Sequence, residues 1–450
     1  MALGGGTWLV QNKVLPGSYI NFSSIAKASA TLSDRGYAAA PFVLSWGPEG
    51  EVFAVTSGEF QKNSKELFGY SYDHPKLLAL REIFLHATTV YCYRLGQGAK
   101  KASCRLGEGE AAATLATAKH PGVRGNDLSI VIAPNVDDGA LWDVSTYLEG
   151  IAQETQTVAD AGGLLGNAWV DFQKDAVLAA TAGLPLMGGE DAQGVTGDSH
   201  QAFLDKLEAY AFNTLCCPAA DATIVKLYAA YTQRMREEVG AKFQLVAWQP
   251  ATVDYEGVIG VWNSATHASI PEVEEQAVVY WAAGAQAGVA VNKSLTNAKY
   301  DGELTLDTDF TQAELTAAIQ AGKFLFHKVN GDTRVLEDIN TLLTLSDTKG
   351  EVFQSNQTMR VCDQIANDIA VLFNTRYVGV VPNDASGRSA LWGDITHYLK
   401  QLEDIRAVEN FDPDTVSCQQ GDRKKAVLVT VNGLNVVNAM AQLYMSVVIQ

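Results

Sequence analysis

The stretch HPKLLALREIFLHATTVYCYRL, residues 74–95, decides how the rest of the chain is read. Pro75 suits the first turn of a helix, where a missing N–H costs nothing, and Leu77, Leu78, Ile83 and Leu85 then fall on or near one apolar face. TTVYCYRL (Thr88–Leu95) follows as a buried strand. Helix passing straight into buried strand is α/β grammar. Upstream, PFVLSWG and EVFAVT supply two more strand-like runs.

Downstream of Lys100 and Lys101 the pattern changes. SCRLGEGEAAATLATA, NDLSIVIAPN, WDVSTYLEGIAQETQTV and KDAVLAATAGLPLM are short alternating segments separated by turn residues. They predict a small all-β unit over roughly Lys101–Met187, closed by the glycine-rich loop GGEDAQGVTGDSH. Because the α/β pattern then resumes, the β block reads as an insertion.

SHQAFLDKLEAYAFN predicts a helix capped by Asp198 or Ser199, and a second helix runs from about Ala222 to Val239, stopped by Gly240. FQLVAW and YEGVIGVWN follow as strands. A helix over Pro271–Gly288 is rich in small residues (Ala282, Ala283, Gly284, Ala285, Ala287, Gly288), which permits close backbone packing. Strands spaced by helices imply parallel pairs, since only such pairs need crossovers. TQAELTAAIQ is a helix ending at Gly322, and FLFHKVNGDTRVLEDI is a hairpin turning on Asn330–Gly331. A change of unit falls near Asp347–Gly350. Beyond it, Val361, Ile365, Ile369, Leu372 and Phe373 form the stripe of a long helix, and SALWGDITHYLKQLEDI forms another. AVLVTVNGLNVV and LYMSVVI are the last two strands, with Asn432–Gly433 as a turn or bulge.

The two ends are unusual. In LYMSVVIQ, Leu443, Met445, Val447 and Ile449 alternate with Tyr444, Ser446 and Val448, a period-2 pattern with both faces largely apolar. TWLVQNKVLPGSYINF (Thr7–Phe22) is β-rich as well, behind Gly4–Gly6. Ends that look built for pairing need a partner sheet.

With 450 residues, 47% hydrophobic and 19% charged, the chain can bury a sizeable core in several domains. A formal charge of −18 argues against nucleic acid and anionic membrane as partners. No basic region followed by an apolar core opens the chain, so the expectation is a protein made and folded in a cytosol. The longest apolar stretch, Ala277–Val291, is too short to span a bilayer. Six scattered cysteines form no C-x-x-C pair and read as reduced, mostly buried thiols; Cys216 and Cys217 on an extended segment point to opposite faces. None of the seven histidines has a second ligand at metal-binding spacing. No zincin, nucleophile-elbow or P-loop motif is present. Gly96 and Gly98 follow a strand, but Lys101 stands where a dinucleotide loop needs its third glycine. No catalytic residue, cofactor or metal is therefore expected. An enzyme reading would rest on Asp254 and Glu256 around Tyr255, which would share a strand face but have no evident reason for a raised pKa. Arg423, Lys424 and Lys425 form one basic cluster, either a charged interface or edge residues that discourage stray pairing.

HPGVRGNDLSIVI (His120–Ile132), DYEGVIGVWN (Asp254–Asn263), WAAGAQAGVAVNKSLTN, INTLLTL (Ile339–Leu345), RYVGVVPNDASGR (Arg376–Arg388) and the ending MAQLYMSVVI occur in an order that resembles the tail sheath proteins of contractile phage tails and of contractile bacteriocins. The resemblance implies an α/β, mixed α+β multidomain fold. Residues 1–22 would be an N-terminal linking extension, 23–100 with 190–346 a middle α/β domain, 101–189 an inserted outward-facing β domain, and 347–450 a C-terminal α+β domain nearest the tube. It also implies that Trp8, Leu9, Val10, Val14 and Leu15 at one end, and Leu443, Tyr444, Met445, Val447 and Ile449 at the other, lend strands to neighbouring copies. The implied work is that of a virion structural subunit, assembled in the host bacterial cytoplasm, that polymerises helically and contracts to drive a tube through a cell envelope. Implied partners are further copies of the chain, the tail tube protein, and baseplate and tail terminator proteins, with no nucleic acid or membrane. A non-contractile self-assembling shell protein remains the alternative to both the sheath and the enzyme readings.

Overall fold

A computed structural model describes residues 32–107 and 113–449. The expected N-terminal strand within Thr7–Phe22 lies outside the described residues. The described chain falls into two compact units: Asp34–Ile365 with the residues from Val436 onward, and Ala366–Asn435 with Ser33. Helices and strands are mixed in several separate sheets, the α/β, multidomain architecture expected from the sequence.

The larger unit opens with strands β1 (Tyr37–Phe42) and β2 (Val52–Thr56), helices α1 (Ser57–Phe68) and α2 (Leu78–Phe84), and strand β3 (Thr89–Arg94). Pro75 starts a single 3-10 turn, Pro75–Leu77, and the α-helix begins only after it. Then come seven strands without an α-helix: β4 (Ser103–Leu106), β5 (Ala113–Ala118), β6 (Leu128–Pro134), β7 (Trp142–Leu148), β8 (Ile151–Val158), β9 (Val170–Phe172) and β10 (Thr181–Pro185). They make a three-stranded sheet in the order β4-β5-β9 and a four-stranded sheet in the order β10-β6-β7-β8. Leu115, Ile130, Ile132, Val144, Leu148, Trp169 and Leu186 are buried in one shared core. Trp46 from the α/β layer is fully buried in that same core, its ring 5.7 Å from Trp169. Two buried guanidiniums fasten the layers further. Arg94 donates to the carbonyls of Pro121 (2.5 Å) and Gly47 (3.3 Å). Arg124 donates to Gly69 O at 2.7 Å and lies 4.5 Å over the Tyr70 ring.

The α/β pattern resumes with α3 (Gly197–Leu207), β11 (Thr214–Cys217), α4 (Ala222–Arg234), β12 (Gln244–Trp248), β13 (Val258–Val261), β14 (Ala265–Thr266) and α5 (Val278–Gly288). Helix α3 starts earlier than expected, with Thr196 as its cap; Asp198 and Ser199 occupy the first turn, Ser199 with its hydroxyl 3.5 Å from that of Thr196. A π-turn, Met235–Val239, extends α4 to Gly240, which takes the left-handed conformation expected of it. Helix α5 begins at Val278 instead of Pro271, because the preceding acidic residues stay at the surface and form only a 3-10 turn, Glu275–Ala277.

The main sheet has the order β13-β12-β11-β1-β3-β2, parallel throughout except for β2 against β3. Cys216 faces the core that contains α2 and α5, and Cys217 faces the core that contains α3 and α4. The adjacent cysteines thus do point to opposite faces. Every α5 residue from Val278 to Ala287 is buried, the signature of a helix surrounded by core. Its small residues have a measurable purpose: a Cβ on Gly284 would stand 2.2 Å from the Ile83 carbonyl oxygen, so α2 and α5 approach backbone to backbone.

Next come β15 (Thr305–Leu306), α6 (Gln312–Gln320), β16 (Phe326–Val329) and β17 (Asp332–Val335). Strands β16 and β17 form the expected hairpin, with Asn330 at φ 49° and Gly331 at φ 92°, the positive pair that a two-residue turn requires. Helix α7 (Asn356–Arg376) begins in this unit and ends in the other. In the larger unit a buried ion pair, Arg360 to Asp338 at 2.7 Å, is completed by Gln286 Nε2, Leu295 N–H and Asn356 Nδ2 donating to the same carboxylate. Burial alone would raise the Asp338 pKa; Arg360 and these donors outweigh it and hold the carboxyl below its ordinary value.

The smaller unit contains the last turns of α7, helix α8 (Ala385–Asp404), and strands β18 (Val408–Glu409), β19 (Val416–Gln420) and β20 (Val427–Val431). Tyr398 of α8 donates to Asp368 of α7 at 2.8 Å.

Candidate assembly surface

Strands β19 and β20 pair antiparallel, Val416 opposite Val431 through Gln420 opposite Val427. Period-2 alternation gives the hairpin two unlike faces. Val416, Cys418, Val429 and Val431 lie on the face turned inward, while Gln419, Leu428 and Thr430 are exposed on the other. Trp392 of α8 pins the hairpin by donating from Nε1 to Val416 O at 2.9 Å. Among the described residues these two strands form a sheet of two, so each outer edge presents a row of backbone groups without a strand partner.

Arg423, Lys424 and Lys425 are all exposed in the turn joining β19 to β20. Asn383 fixes that turn by donating from Nδ2 to Lys424 O (2.9 Å) and Ala426 O (2.8 Å).

The C-terminal segment belongs to the larger unit and is held only at its base. Gln357, itself buried, acts like a short piece of strand: its Nε2 donates to Val437 O and its Oε1 accepts from Ala439 N–H, both at 3.0 Å. Asn438 Oδ1 accepts from Ser355 Oγ (3.2 Å) and Thr358 Oγ1 (3.3 Å). Ala441 and Gln442 still line a cavity with Ile319, Glu337 and Leu342, and the side chains beyond them are exposed. Leu443 is 85% exposed, Met445 75%, Val447 69% and Ile449 90%, and Tyr444 is exposed as well. No strand forms over Leu443–Ile449, contrary to the sequence expectation: the segment is paired with no strand among the described residues. The alternating pattern is there; the partner is not.

Trp8, Leu9, Val10, Val14 and Leu15 lie outside the described residues. Close to where the description starts, Ser33 is tied to α7 of the smaller unit, donating to Asp368 from Oγ (2.5 Å) and from N (3.3 Å).

Asp254 and Glu256 sit in a turn before β13 and do not share a strand face. Burial pushes the Asp254 carboxyl up, but N–H groups of Leu343 (2.6 Å) and Thr344 outweigh it and hold the pKa below the ordinary value. Glu256 is buried and paired with Lys349 Nζ at 2.6 Å. Each carboxylate is occupied in fastening the segment 341–349, which is structural work. No group of three or more His, Cys, Asp or Glu able to hold a metal occurs among the described residues, and no helix among them is long and apolar enough to cross a membrane. Cys92, Cys104, Cys216 and Cys217 are buried, and Cys362 and Cys418 are partly so. Sequence reasoning missed Gln357 and its clamp, since nothing in the local pattern links residue 357 to residues 437–439.

Four family profiles match the chain: the N-terminal region of domain III of tail sheath protein Gp18 over residues 35–95, the phage tail sheath β-sandwich domain over 99–191, the phage tail sheath central domain over 193–341, and the phage tail sheath C-terminal domain over 348–450. The crystal structure of a sheath tail protein from Desulfitobacterium hafniense is 36% identical, covering 90% of this chain and 93% of that one, with a TM-score of 0.77. The phage-like element PBSX protein XkdK of Bacillus subtilis is 33% identical over 440 residues, 92% of each chain. The helical sheath of the anti-feeding prophage in its contracted state shares the fold at 13% identity, with a TM-score of 0.57 over 97% of this chain and 99% of that one.

Proposed function

The chain belongs to the phage tail sheath protein family, structural components of phage or phage-like tails, and we propose that it polymerises helically around a tail tube by exchanging terminal strands and contracts to drive that tube through a cell envelope. The observation that carries this reading is the C-terminal arm: an apolar alternating segment, clamped at Val437–Ala439 and then exposed over its whole length. An exposed apolar strand is an aggregation hazard unless it has a destined partner. The open edges of β19 and β20 in another copy are the receiving surface. Trp8–Leu15 is the second linking strand, with Gly4–Gly6 and Pro16–Gly17 letting the body turn while pairing persists.

Magnitudes favour a cooperative polymer over a stable dimer. Pairing over the five residues of β20 makes roughly four to six backbone hydrogen bonds. At about 0.5–1.5 kcal/mol each, they contribute roughly 2–9 kcal/mol. Association costs about 4–15 kcal/mol of lost translational and rotational freedom. One arm alone is marginal, whereas several arms per subunit share that cost. A donated strand joins unlike surfaces, so contacts propagate into rings or helices instead of closing on a pair. Contraction in this account is a change from a metastable packing to a lower-energy one, with no bond made or broken by a catalytic residue.

The unit of residues 101–189 serves as the outward-facing insertion, residues 23–100 with 190–346 as the middle domain, and 347–450 as the domain nearest the tube. The partners are further copies, the tube, and the baseplate and terminator at the two ends; assembly takes place in the bacterial cytoplasm. Arg423, Lys424 and Lys425 form a charged interface to an acidic neighbour. Electron microscopy of the purified protein and of chains lacking Met1–Leu15 or Ala441–Gln450 tests the proposal. Hollow sleeves from the intact chain and folded monomers from both truncations are expected. Sleeves from the truncated chains, or loss of cooperative unfolding in them, would overturn it.

A further inference from the structure

Within the smaller unit a cavity of about 500 Å³ opens between α7, the loop after it, α8 and the hairpin. That volume lies in the ~300–1,000 Å³ range of sites that hold small molecules or inserted side chains. Its walls are apolar: Phe373 of α7 and Tyr377 just after it, stacked with ring centroids 6.0 Å apart, Leu391 of α8 and Val427 of β20. Beside it Val378 is 54% exposed and Val380 73%, an apolar surface in need of cover. Arg388, Lys424 and Lys425 complete the lining, and among the described residues no partner is found for either lysine side chain. An apolar socket edged by cations suits an aromatic ring, which offers both a greasy body and a negative face.

We infer that the occupant is the chain's own segment Ser18–Phe22 (SYINF), seating Tyr19 and Phe22 in this cavity. Three observations carry the assignment. Ser33 is bonded to Asp368, five residues before Phe373 on the same helix, or roughly 8 Å at the helical rise, and Tyr377 follows directly after that helix ends at Arg376. The ten residues 23–32 between Phe22 and Ser33 span up to about 35 Å, so Phe22 reaches the socket with slack. A tether that short sets a local concentration in about the millimolar range, which favours the chain's own segment over that of a second copy. SYINF is uncharged, so no like charge opposes the three cations. Docking there makes Pro16–Gly17 the pivot of the N-terminal arm and starts that arm beside the hairpin. The inference rests on the linking-arm reading for the arm's purpose, but the docking itself is a property of the single chain.

Hydrogen exchange by mass spectrometry on dilute, monomeric full-length protein tests it. Amides of residues 18–22 are expected to exchange at least about tenfold more slowly than an open segment. Tyr19→Ser with Phe22→Ser should abolish that protection and speed exchange in the loop 378–383. Lys424→Ala with Lys425→Ala, at an exposed turn, should weaken protection without altering the fold. Protection that appears only on assembly assigns the socket to a second copy and overturns the inference, as does a loop 378–383 indifferent to the double substitution. Sleeve formation by chains lacking Met1–Leu15 would refute the linking-arm reading instead, leaving the docking result untouched.

Discussion

Gln357→Ala removes the one side chain that imitates a strand for the C-terminal arm. Two hydrogen bonds disappear, to Val437 O and from Ala439 N–H, while the Asn438 contacts to Ser355 and Thr358 remain. At about 0.5–1.5 kcal/mol net per bond, the base of the arm loses roughly 1–3 kcal/mol. With a factor of ten for every 1.4 kcal/mol, local opening at Val437–Ala439 rises about 5- to 150-fold. Gln357 contributes to no apolar cluster of the unit, so global unfolding should hardly move. The assay is amide exchange at Ala439 in the dilute monomer, read against a core amide such as Val246. A faster Ala439 with an unchanged Val246 is expected. An unchanged Ala439 would show that the clamp does not restrain the base of the arm.

Asp338→Ala leaves Arg360 buried without its partner; such half-removed pairs cost about 3–5 kcal/mol, to be seen as a large fall in the denaturant midpoint of the larger unit. Glu82 gives a pH dependence with a defined sign. Burial pushes its carboxyl up to about 7, against the hydrogen bonds it accepts from Glu303 N–H (2.6 Å) and Tyr300 OH (2.7 Å). A native pKa raised above the unfolded value means that the folded chain holds a proton the unfolded chain has lost, so stability is fully present below about 4.5 and falls as pH rises to about 7. The shift from 4.5 to about 7 corresponds to roughly 3 kcal/mol. Burial depresses His120 to about 4, which acts oppositely over part of the same range. The contribution of Glu82 is therefore read as the difference between the native chain and Glu82→Gln, measured by chemical denaturation from pH 4 to pH 8. That difference should grow in favour of Gln up to about pH 7 and then level off; a difference independent of pH would refute the assignment.

What was legible in the sequence was what short-range chemistry decides. Asn330–Gly331 announces a hairpin because few other pairs adopt its dihedral angles, and the small residues of α5 announce a close approach without naming α2 as the neighbour. Cys216 and Cys217 follow from strand geometry alone. Boundaries were less legible: Thr196 displaces Asp198 and Ser199 as the cap of α3, and burial instead of composition sets the start of α5 at Val278. Long-range polar contacts left no local trace. The clamp of Gln357 on residues 437–439 and the pairing of Arg236 with Asp363 (2.6 Å) join residues 80 or more positions apart. The alternation of Leu443–Ile449 was plain to read, yet a strand is defined by its ladder, and this segment pairs with none of the described residues.

The central claim is that this segment completes its sheet on another copy. A helical reconstruction by electron cryo-microscopy of sleeves formed by the intact chain addresses it most directly. Leu443–Ile449 should appear as a strand against the hairpin Val416–Val431 of a neighbouring subunit, with density continuous back to Ala439 of its own. Density showing the segment folded onto its own subunit, and both hairpin edges without an added strand, would contradict the account.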